Sequence, residues 1–498
     1  MFFFIISCFF INIFLLFVIP SKSQFILKSL TLFLNFFYLI ITVLIWVFFD
    51  YDTSGFFFIY NIPILENYNI FCTFGIDGIS LFFLLLTVLL FPICFLASWD
   101  VKKSKLLFLN LLLIEFLLFL TFSVLDLFFF CIFFESLLIP MFFIIILWGT
   151  RARRVRALTY FFLYTLFGSV FLLLLLFFLF FEINSFHFLE IIFSDFDVTK
   201  QKIIWFALFI VFAIKIPIFP FYIWLPEAHV EAPTVGSIIL AGLLLKIGGY
   251  GILRFLLIFE YAKYYYQPFI FIFCFLSIWL ASIIAVRQVD LKKIIAYSSI
   301  AHMNFALLGY FSNSIYGILG GVLLMLSHGI VSSALFFLVG VLYSRYHSRL
   351  LYYYGGLMQV MPLFGFFFII FIFSNFSFPG TSNFIGEIFV LFGLAKAEQW
   401  FLLILVFLST FLTVLYSLIL VLKIIFGSFK LAFIQTFTDL SQSEVYALFP
   451  LFIFNLIIGL GPGIFLPIIY FSIKNIYFTS MLMYNITIII KFFFWTVI

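Results

Sequence analysis

Charged side chains are scarce in this sequence: Asp, Glu, Lys and Arg make up 9% of its 498 residues. A soluble domain carries about 25%, so a water-soluble fold is excluded before any motif is read. Cysteine is thin as well. Cys8, Cys72, Cys94, Cys131 and Cys274 are scattered with no pair at metal-ligand spacing, which argues against a disulfide framework or a metal site and makes them small, lipid-compatible side chains. No glycine-rich phosphate loop follows a strand and no cysteine cluster is present. The formal net charge of +5 is small and sits in loops, where it sets topology; nucleic acid is not an expected partner. Met1–Pro20 has no basic n-region and no Arg-rich presequence, so neither a secretory nor an import signal is expected there.

What fills the chain is apolar: 67% hydrophobic residues and a mean hydropathy of +1.35. In hydrocarbon every backbone N–H and C=O must be paired within the protein, which leaves helix bundles and closed barrels. Barrel strands would alternate in polarity. Unbroken runs such as Phe171–Phe180 and Phe366–Phe373 predict an all-α polytopic membrane protein instead. Phe supplies 87 residues, far more than packing requires, and points to an AT-rich organellar genome whose product needs no import signal. A spanning helix takes ~20 apolar residues. Runs near 2–20, 28–48, 79–98, 106–123, 125–147, 157–181, 203–225, 233–257, 268–285, 293–310, 316–343, 361–392, 398–426 and 446–472 give about fourteen spans. Residues 480–498 read as a further helix or an interfacial tail.

Loop charges test that count. After odd-numbered runs come Lys22 and Lys28, then Lys102, Lys103 and Lys105, then Arg151, Arg153, Arg154 and Arg156. Arg287, Lys292 and Lys293, then Arg345 and Arg349, then Lys430 continue the pattern. Residues 49–78 hold no Lys or Arg but carry Asp50, Asp52, Glu66 and Asp77. Only Lys200, Lys202, Lys263 and Lys396 break the alternation. Positive loops stay on the side of synthesis, so the odd loops lie there and the N-terminus lies opposite.

Several ionisable residues fall inside the runs, among them Glu135, Lys215, Lys246, His302, His328 and Glu387. A central charge costs ~2.5–3.5 kcal/mol on the insertion scale, so the four Glu and Lys residues together cost roughly 10 kcal/mol if unpaired. That rivals a domain's whole stability. They must face one another or an internal water path. A single Glu–Lys pair could merely lock two helices, and either histidine could be a satisfied core hydrogen-bonder. Six such residues on six helices, all able to titrate or change partners, are the repertoire of a proton relay. Two runs are also broken, the seventh by Pro217 and Pro220 and the twelfth between Asn375 and Asn383 around Pro379-Gly380. Such breaks should free carbonyls to hydrate a path. They lie five spans apart, an odd offset that reverses direction, so spans 4–8 and 9–13 read as two inverted five-helix repeats with paired broken helices. The chain then divides into N-terminal helices 1–105, a first repeat 106–257, a second repeat 268–426 and a C-terminal helix with tail, 427–498.

The motifs around these residues resemble a known family. Lys215-Ile216-Pro217, Trp224–Pro233, Gly236-Ser237 and Leu240–Lys246 are similar to the signature of subunit 4 among the antiporter-like subunits of mitochondrial NADH:ubiquinone oxidoreductase, respiratory complex I. Phe134–Pro140, Trp148-Gly149, Arg287–Lys292, Ala296–Met303, Ser327-His328-Gly329, Phe378–Thr381 and Gly386-Glu387 match the same family in order. The matches run from Phe74–Ser80 to about residue 390; residues 1–70 and the C-terminal hundred carry little signature. The resemblance implies that Glu135 forms a switchable ion pair with Lys215 and that Lys246 stands on a central axis. It implies that His302 and His328 bridge that axis through water, and that Glu387 lies near the exit. The related subunit 5 carries lysine at the last position, so the acid favours subunit 4. It further implies a multi-pass subunit of the mitochondrial inner membrane, with other membrane-arm subunits and lipids such as cardiolipin as partners. NAD, FMN, iron–sulfur clusters and ubiquinone would belong to the assembled complex and not to this chain. The alternatives are a subunit of a related multisubunit cation/proton antiporter, and a structural subunit whose buried charges only organise helices.

The loop rule makes a direct prediction. A cysteine placed at Arg153 reacts with an impermeant thiol reagent from the matrix side. Labelling from the intermembrane space alone would overturn the topology.

Overall fold

The structure, a computed structural model, describes residues 2–20, 22–50, 55–65, 70–99, 101, 104–428, 430 and 437–475. Most of them are helical. The chain opens with α1 (Phe2–Val18) and α2 (Gln24–Val47), then strands β1 (Phe57–Leu65) and β2 (Ile70–Ile76). Next come α3 (Gly78–Ala97), α4 (Ser104–Ser123), α5 (Leu127–Ser136), α6 (Leu138–Trp148), α7 (Arg154–Ile183) and the short α8 (Phe188–Phe193). Then follow α9 (Val198–Lys215), α10 (Trp224–Glu231), α11 (Thr234–Ile239) and α12 (Leu245–Gly251), with α13 (Glu260–Arg287), α14 (Leu291–Tyr310) and α15 (Ile315–Tyr346) after them. The last are α16 (Leu357–Val360), α17 (Pro362–Asn375), α18 (Ser382–Lys396), α19 (Trp400–Ile424) and α20 (Gln442–Leu460). Among the described residues ten helices, some joined across a kink or a π-turn, are long and apolar enough to cross a membrane.

Burial sorts these helices. The apolar middle stretches of the spans Thr234–Leu256 and Ile315–Tyr346 are wholly buried, whereas most residues in those of Arg154–Ile183 and Trp400–Ile424 are not. α15 is therefore the centre of the bundle. It packs closely because its helix face is glycine-rich: a Cβ added at Gly320 would stand 2.5 Å from the Val390 backbone nitrogen, and one at Gly386 would stand 2.8 Å from Leu324. Backbones of α15 and α18 meet there, as small residues permit in membranes. Phe serves both environments. Phe14 and Phe181 face outward, while Phe83 is buried and stacks on Phe122 with centroids 5.3 Å apart.

The strictly all-helical expectation needs one correction: β1 and β2 form an antiparallel hairpin between α2 and α3. Asp126 ties it down, its carboxylate accepting from Thr73 N at 2.6 Å and Thr73 Oγ1 at 2.7 Å. The same end of the bundle carries a buried ion pair between Arg254 and Asp77. Asp77 also caps α3 by accepting from Ser80 N at 2.8 Å, and Tyr250 Oη accepts from Arg254 Nε at 3.0 Å. The final run is also corrected. It stops at Leu460 because Pro462 lacks the N–H that a continuing turn needs; residues 466–475 are helical again. The expectation for 480–498 lies outside the described residues.

Both expected breaks are present. α9 ends at Lys215 and α10 starts at Trp224. The loosened backbone is taken up by side chains: Trp224 Nε1 donates to Ile214 O at 2.9 Å, Asn304 Nδ2 to Pro217 O at 3.3 Å, and Phe219 N to Ser277 Oγ at 2.7 Å. These bonds hold the break in shape and leave each of the two carbonyls a second lone pair. The second break separates α17 from α18 at Phe376–Thr381, where Gly380 adopts φ +90°, a conformation glycine allows. Asn455 of α20 spans it, donating to Ser374 Oγ at 2.8 Å and accepting from Ser382 Oγ at 2.7 Å. Two further irregularities were not anticipated. Leu240–Leu244 and Ile252–Leu256 are π-helical turns on either side of α12.

Removing one partner of a buried pair typically costs about 3–5 kcal/mol, and removing both costs less. Arg254→Leu should therefore lower the thermal midpoint and yield of the assembled membrane complex, with Asp77→Asn/Arg254→Leu recovering part of the loss. An unchanged midpoint in Arg254→Leu would refute this role.

Candidate functional site

Each of the six sequence-predicted residues sits where a helix is irregular or where helices cross closely. Glu135 is the penultimate residue of α5, at a kink before α6. Pro140 cannot donate to Ser136 O there, and the neighbouring bonds lengthen to 3.3 Å (Leu137 N to Phe133 O) and 3.4 Å (Met141 N to Leu137 O). Lys215 is the last residue of α9, immediately before the Pro217 break. Lys246 lies just past a π-turn, and its ammonium donates back to Ala241 O within that turn. π-turns are frequent at functional positions because they displace one carbonyl from the regular ladder.

Four of the six join in one line. Lys246 Nζ stands 2.9 Å from His328 Nδ1. The rings of His328 and His302 have centroids 5.7 Å apart. His302 Nδ1 stands 3.1 Å from Glu387 Oε1. The line crosses α12, α15, α14 and α18, and all four residues are buried. It can pass a proton from amine to imidazole to imidazole to carboxylate, with one short gap between the rings.

Glu135 and Lys215 are not in contact. Among the described residues no ion pair joins them within 4.0 Å, and Glu135 Oε1 is buried without a hydrogen-bond partner. The lysine ammonium rests instead over the ring of Phe134, 4.3 Å from its centroid. The two charges remain within electrostatic range of each other. Lys215 also touches the helix that carries Lys246: a Cβ at Gly248 would stand 3.1 Å from Lys215 Cβ, so a glycine is needed for this approach.

Several buried polar groups escaped the sequence reading. His229 on α10 is buried against Phe336, ring on ring at 4.5 Å, with neither ring nitrogen hydrogen-bonded. It was visible inside Trp224–Pro233 but received no role. Lys292 and Arg349 were counted as loop charges, yet both are fully buried. Lys292 Nζ donates to Ala232 O at 2.8 Å and Ser237 Oγ at 3.3 Å, at the α10–α11 junction. Arg349 donates to Val230 O and lies 3.7 Å from Asp290. Outside them opens a charged cavity of about 280 Å³ lined by Arg151, Arg153, Glu227, Glu231, Asp290 and Lys293. Loops that the charge rule assigned to one side thus converge at one end of the bundle.

Comparison with known proteins gives the family. The sequence profile described as NADH:quinone oxidoreductase/Mrp antiporter, TM matches residues 124–413. The NADH-ubiquinone oxidoreductase chain 4 of Chondrus crispus is 47% identical over 469 residues, 94% of this chain and 95% of its own length. That of Marchantia polymorpha is 44% identical over 462 residues, 92% of this chain and 93% of its own. Among solved structures, a chain of respiratory complex I from Thermus thermophilus with bound NADH superposes with a TM-score of 0.85 at 27% identity, covering 95% of this chain and 98% of that one. A chain of the Mrp complex from Dietzia sp. DQ12-45-1b reaches a TM-score of 0.83 over 95% of this chain and 97% of that one; at 18% identity it speaks for the fold alone. The chain belongs to the NADH:quinone oxidoreductase/Mrp antiporter family, among its NADH-ubiquinone oxidoreductase chain 4 members.

Proposed function

We propose that this chain is a proton-translocating membrane-arm subunit of respiratory complex I in the mitochondrial inner membrane. Electron transfer from NADH to ubiquinone runs in other subunits, which hold the NAD, FMN, iron–sulfur and quinone sites. The observation that carries the reading is the line Lys246–His328–His302–Glu387, buried across four helices in a chain of this family. Its partners are the neighbouring membrane-arm subunits and lipids such as cardiolipin. The multisubunit cation/proton antiporter is the alternative; the 47% identity to a chain 4 relative, against 18% to the Mrp chain, favours complex I.

The architecture we propose is fourteen spans, with spans 4–8 and 9–13 as inverted repeats. The helix breaks after Lys215 and after Asn375 support that reading, and with it we propose the domain limits 1–105, 106–257, 268–426 and 427–498. In the mechanism, Glu135 and Lys215 form the switch. Closing the pair stabilises the lysine's charge against the low-dielectric interior. Opening it, with the ammonium left on the Phe134 ring, withdraws that stabilisation, and the proton passes to Lys246 beside Gly248. His328 and His302 carry it to Glu387 and out. A redox event elsewhere in the assembly thereby moves a proton here through a change in pairing, with no cofactor bound to this chain.

Glu135→Gln and Glu135→Ala should cut NADH-driven proton pumping, read as acidification of sealed vesicles, by at least about tenfold, since a lost pairing worth several kcal/mol exceeds 1.4 kcal/mol per decade. The complex should still assemble, and Glu135→Asp should be milder because the charge is kept. Normal pumping by assembled Glu135→Ala complex would reject the switch.

A further inference from the structure

A second buried carboxyl lies outside the axis and outside residues 124–413 that match the family profile. Glu115 sits just beyond the middle of α4, fully buried, with neither carboxyl oxygen hydrogen-bonded among the described residues. The groups around it are polar and neutral. Tyr38 of α2 stacks on Phe9 of α1 at 4.2 Å, and Phe9 packs against Phe116, the residue after Glu115, at 5.6 Å, which brings α1, α2 and α4 together at this level. Asn12 is itself fully buried, and among the described residues no hydrogen bond within 3.5 Å reaches either atom of its amide. Asn35, three residues before Tyr38, donates to Thr31 O at 2.8 Å and leaves its carbonyl oxygen unpartnered. Cys94 of α3 is also within range of Glu115.

The cations of the elements packed on α4 are engaged elsewhere. Lys28 of α2 donates to Trp99 O at the end of the bundle, and Lys246 is turned to Ala241 O and His328. Of the other polar or titratable groups on these elements, α1 carries Cys8 and Asn12, α3 Cys94 and α5 Cys131 and Glu135, and α12 adds Tyr250, whose hydroxyl donates to Phe122 O at 2.9 Å. Tyr38 Oη donates to Cys8 O at 3.0 Å, so that donor is spent. A carboxylate here would be acceptor-only, uncompensated and surrounded by low-dielectric packing. A carboxylic acid has one donor and one free acceptor, which complements the unpartnered C=O and NH₂ of an asparagine amide.

We propose that Glu115 is an off-axis proton site: a carboxylic acid that keeps its proton through turnover and binds the amides of Asn12 and Asn35, directly or through one water molecule. It joins α1, α2 and α4 by hydrogen bonds and takes no part in the moving-proton line. This separates two uses of buried carboxyls within one chain. Glu135 and Glu387 exchange partners; Glu115 holds one proton and stays neutral.

Infrared spectroscopy on the assembled complex at neutral pH tests it. Glu115→Gln should remove one band from the protonated carboxylic-acid C=O region, a band that shifts down in D₂O, while NADH-driven pumping stays within about twofold of the parent, under the 1.4 kcal/mol that a tenfold change represents. Asn12→Leu should keep that band and move it up in frequency, because the carbonyl loses its donor. The proposal is overturned if Glu115→Gln removes no acid band, if it removes the band but pumping falls as in Glu135→Gln, or if the band is unmoved in Asn12→Leu. Failure of Glu115→Gln to assemble also counts against it, since a neutral isosteric amide should satisfy the same site.

Discussion

Every feature of this fold answers to one constraint: an ionisable group in hydrocarbon must find a partner or surrender its charge. At ~2.5–3.5 kcal/mol for each central charge, the chain could not carry its buried acids, lysines, arginines and histidines as isolated decorations. They are grouped, and the groups define layers through the bundle. Arg254 and Asp77 close one end beneath the hairpin, Lys292, Asp290 and Arg349 close the other, and Lys246, His328, His302 and Glu387 lie between. α12, and α15 from Gly317 to Leu342, are buried around these groups. α7, the least buried of the described spans, carries none of these buried charges.

The same constraint governs the backbone. A proline break leaves carbonyls that lipid cannot satisfy, and the two breaks solve this differently. After Lys215 the stray groups are taken by Trp224, Asn304 and Ser277, which belong to the hinge and to two other helices. Between α17 and α18 a single residue, Asn455, grips both halves from α20. Each break is therefore tied to a particular neighbour, and a shift of that neighbour is transmitted to the break. Since Lys215 is the last residue before the first break and Glu387 follows about one turn into the helix after the second, the two ends of the proposed relay are attached to the two breaks.

Much of this was legible in one dimension because its physics is local. Span length, loop charge and a titratable residue inside an apolar run need no knowledge of neighbours. The breaks at Pro217 and Pro379-Gly380 were legible for the same reason. What escaped depends on relations between helices. Nothing in the run Leu240–Leu244 marks a π-turn, because that register is set by packing against α15. The hairpin was hidden by composition: in Phe57–Leu65 and Ile70–Ile76 nearly every residue is apolar, so the alternation that signals a strand is lost. Lys292 and Arg349 were misassigned because a charge near a helix end reads as solvated until a third segment covers it. Glu115 escaped because one acid in an apolar run looks like the others; only its neighbours distinguish a fixed proton from a mobile one.

In the mechanism proposed above, the open arrangement of Glu135 and Lys215 is what a pump requires. A line of groups in unbroken contact from one side to the other would conduct protons in whichever direction the gradient pushed, and would dissipate the gradient it was meant to build. Control needs at least one link whose closure depends on something outside the line. Lys246, His328, His302 and Glu387 already touch or nearly touch, so the gate cannot be among them without breaking packed helices apart. The Glu135–Lys215 link differs: one partner sits on a proline kink and the other at the end of a broken helix, both places where small backbone shifts cost little. An aromatic ring, Phe134, offers the ammonium a weak resting place when the carboxylate is withdrawn. A weak alternative partner is more useful than none, because it lets the lysine leave the carboxylate without facing bare hydrocarbon. The barrier to switching is lowered while the two states keep distinct energies.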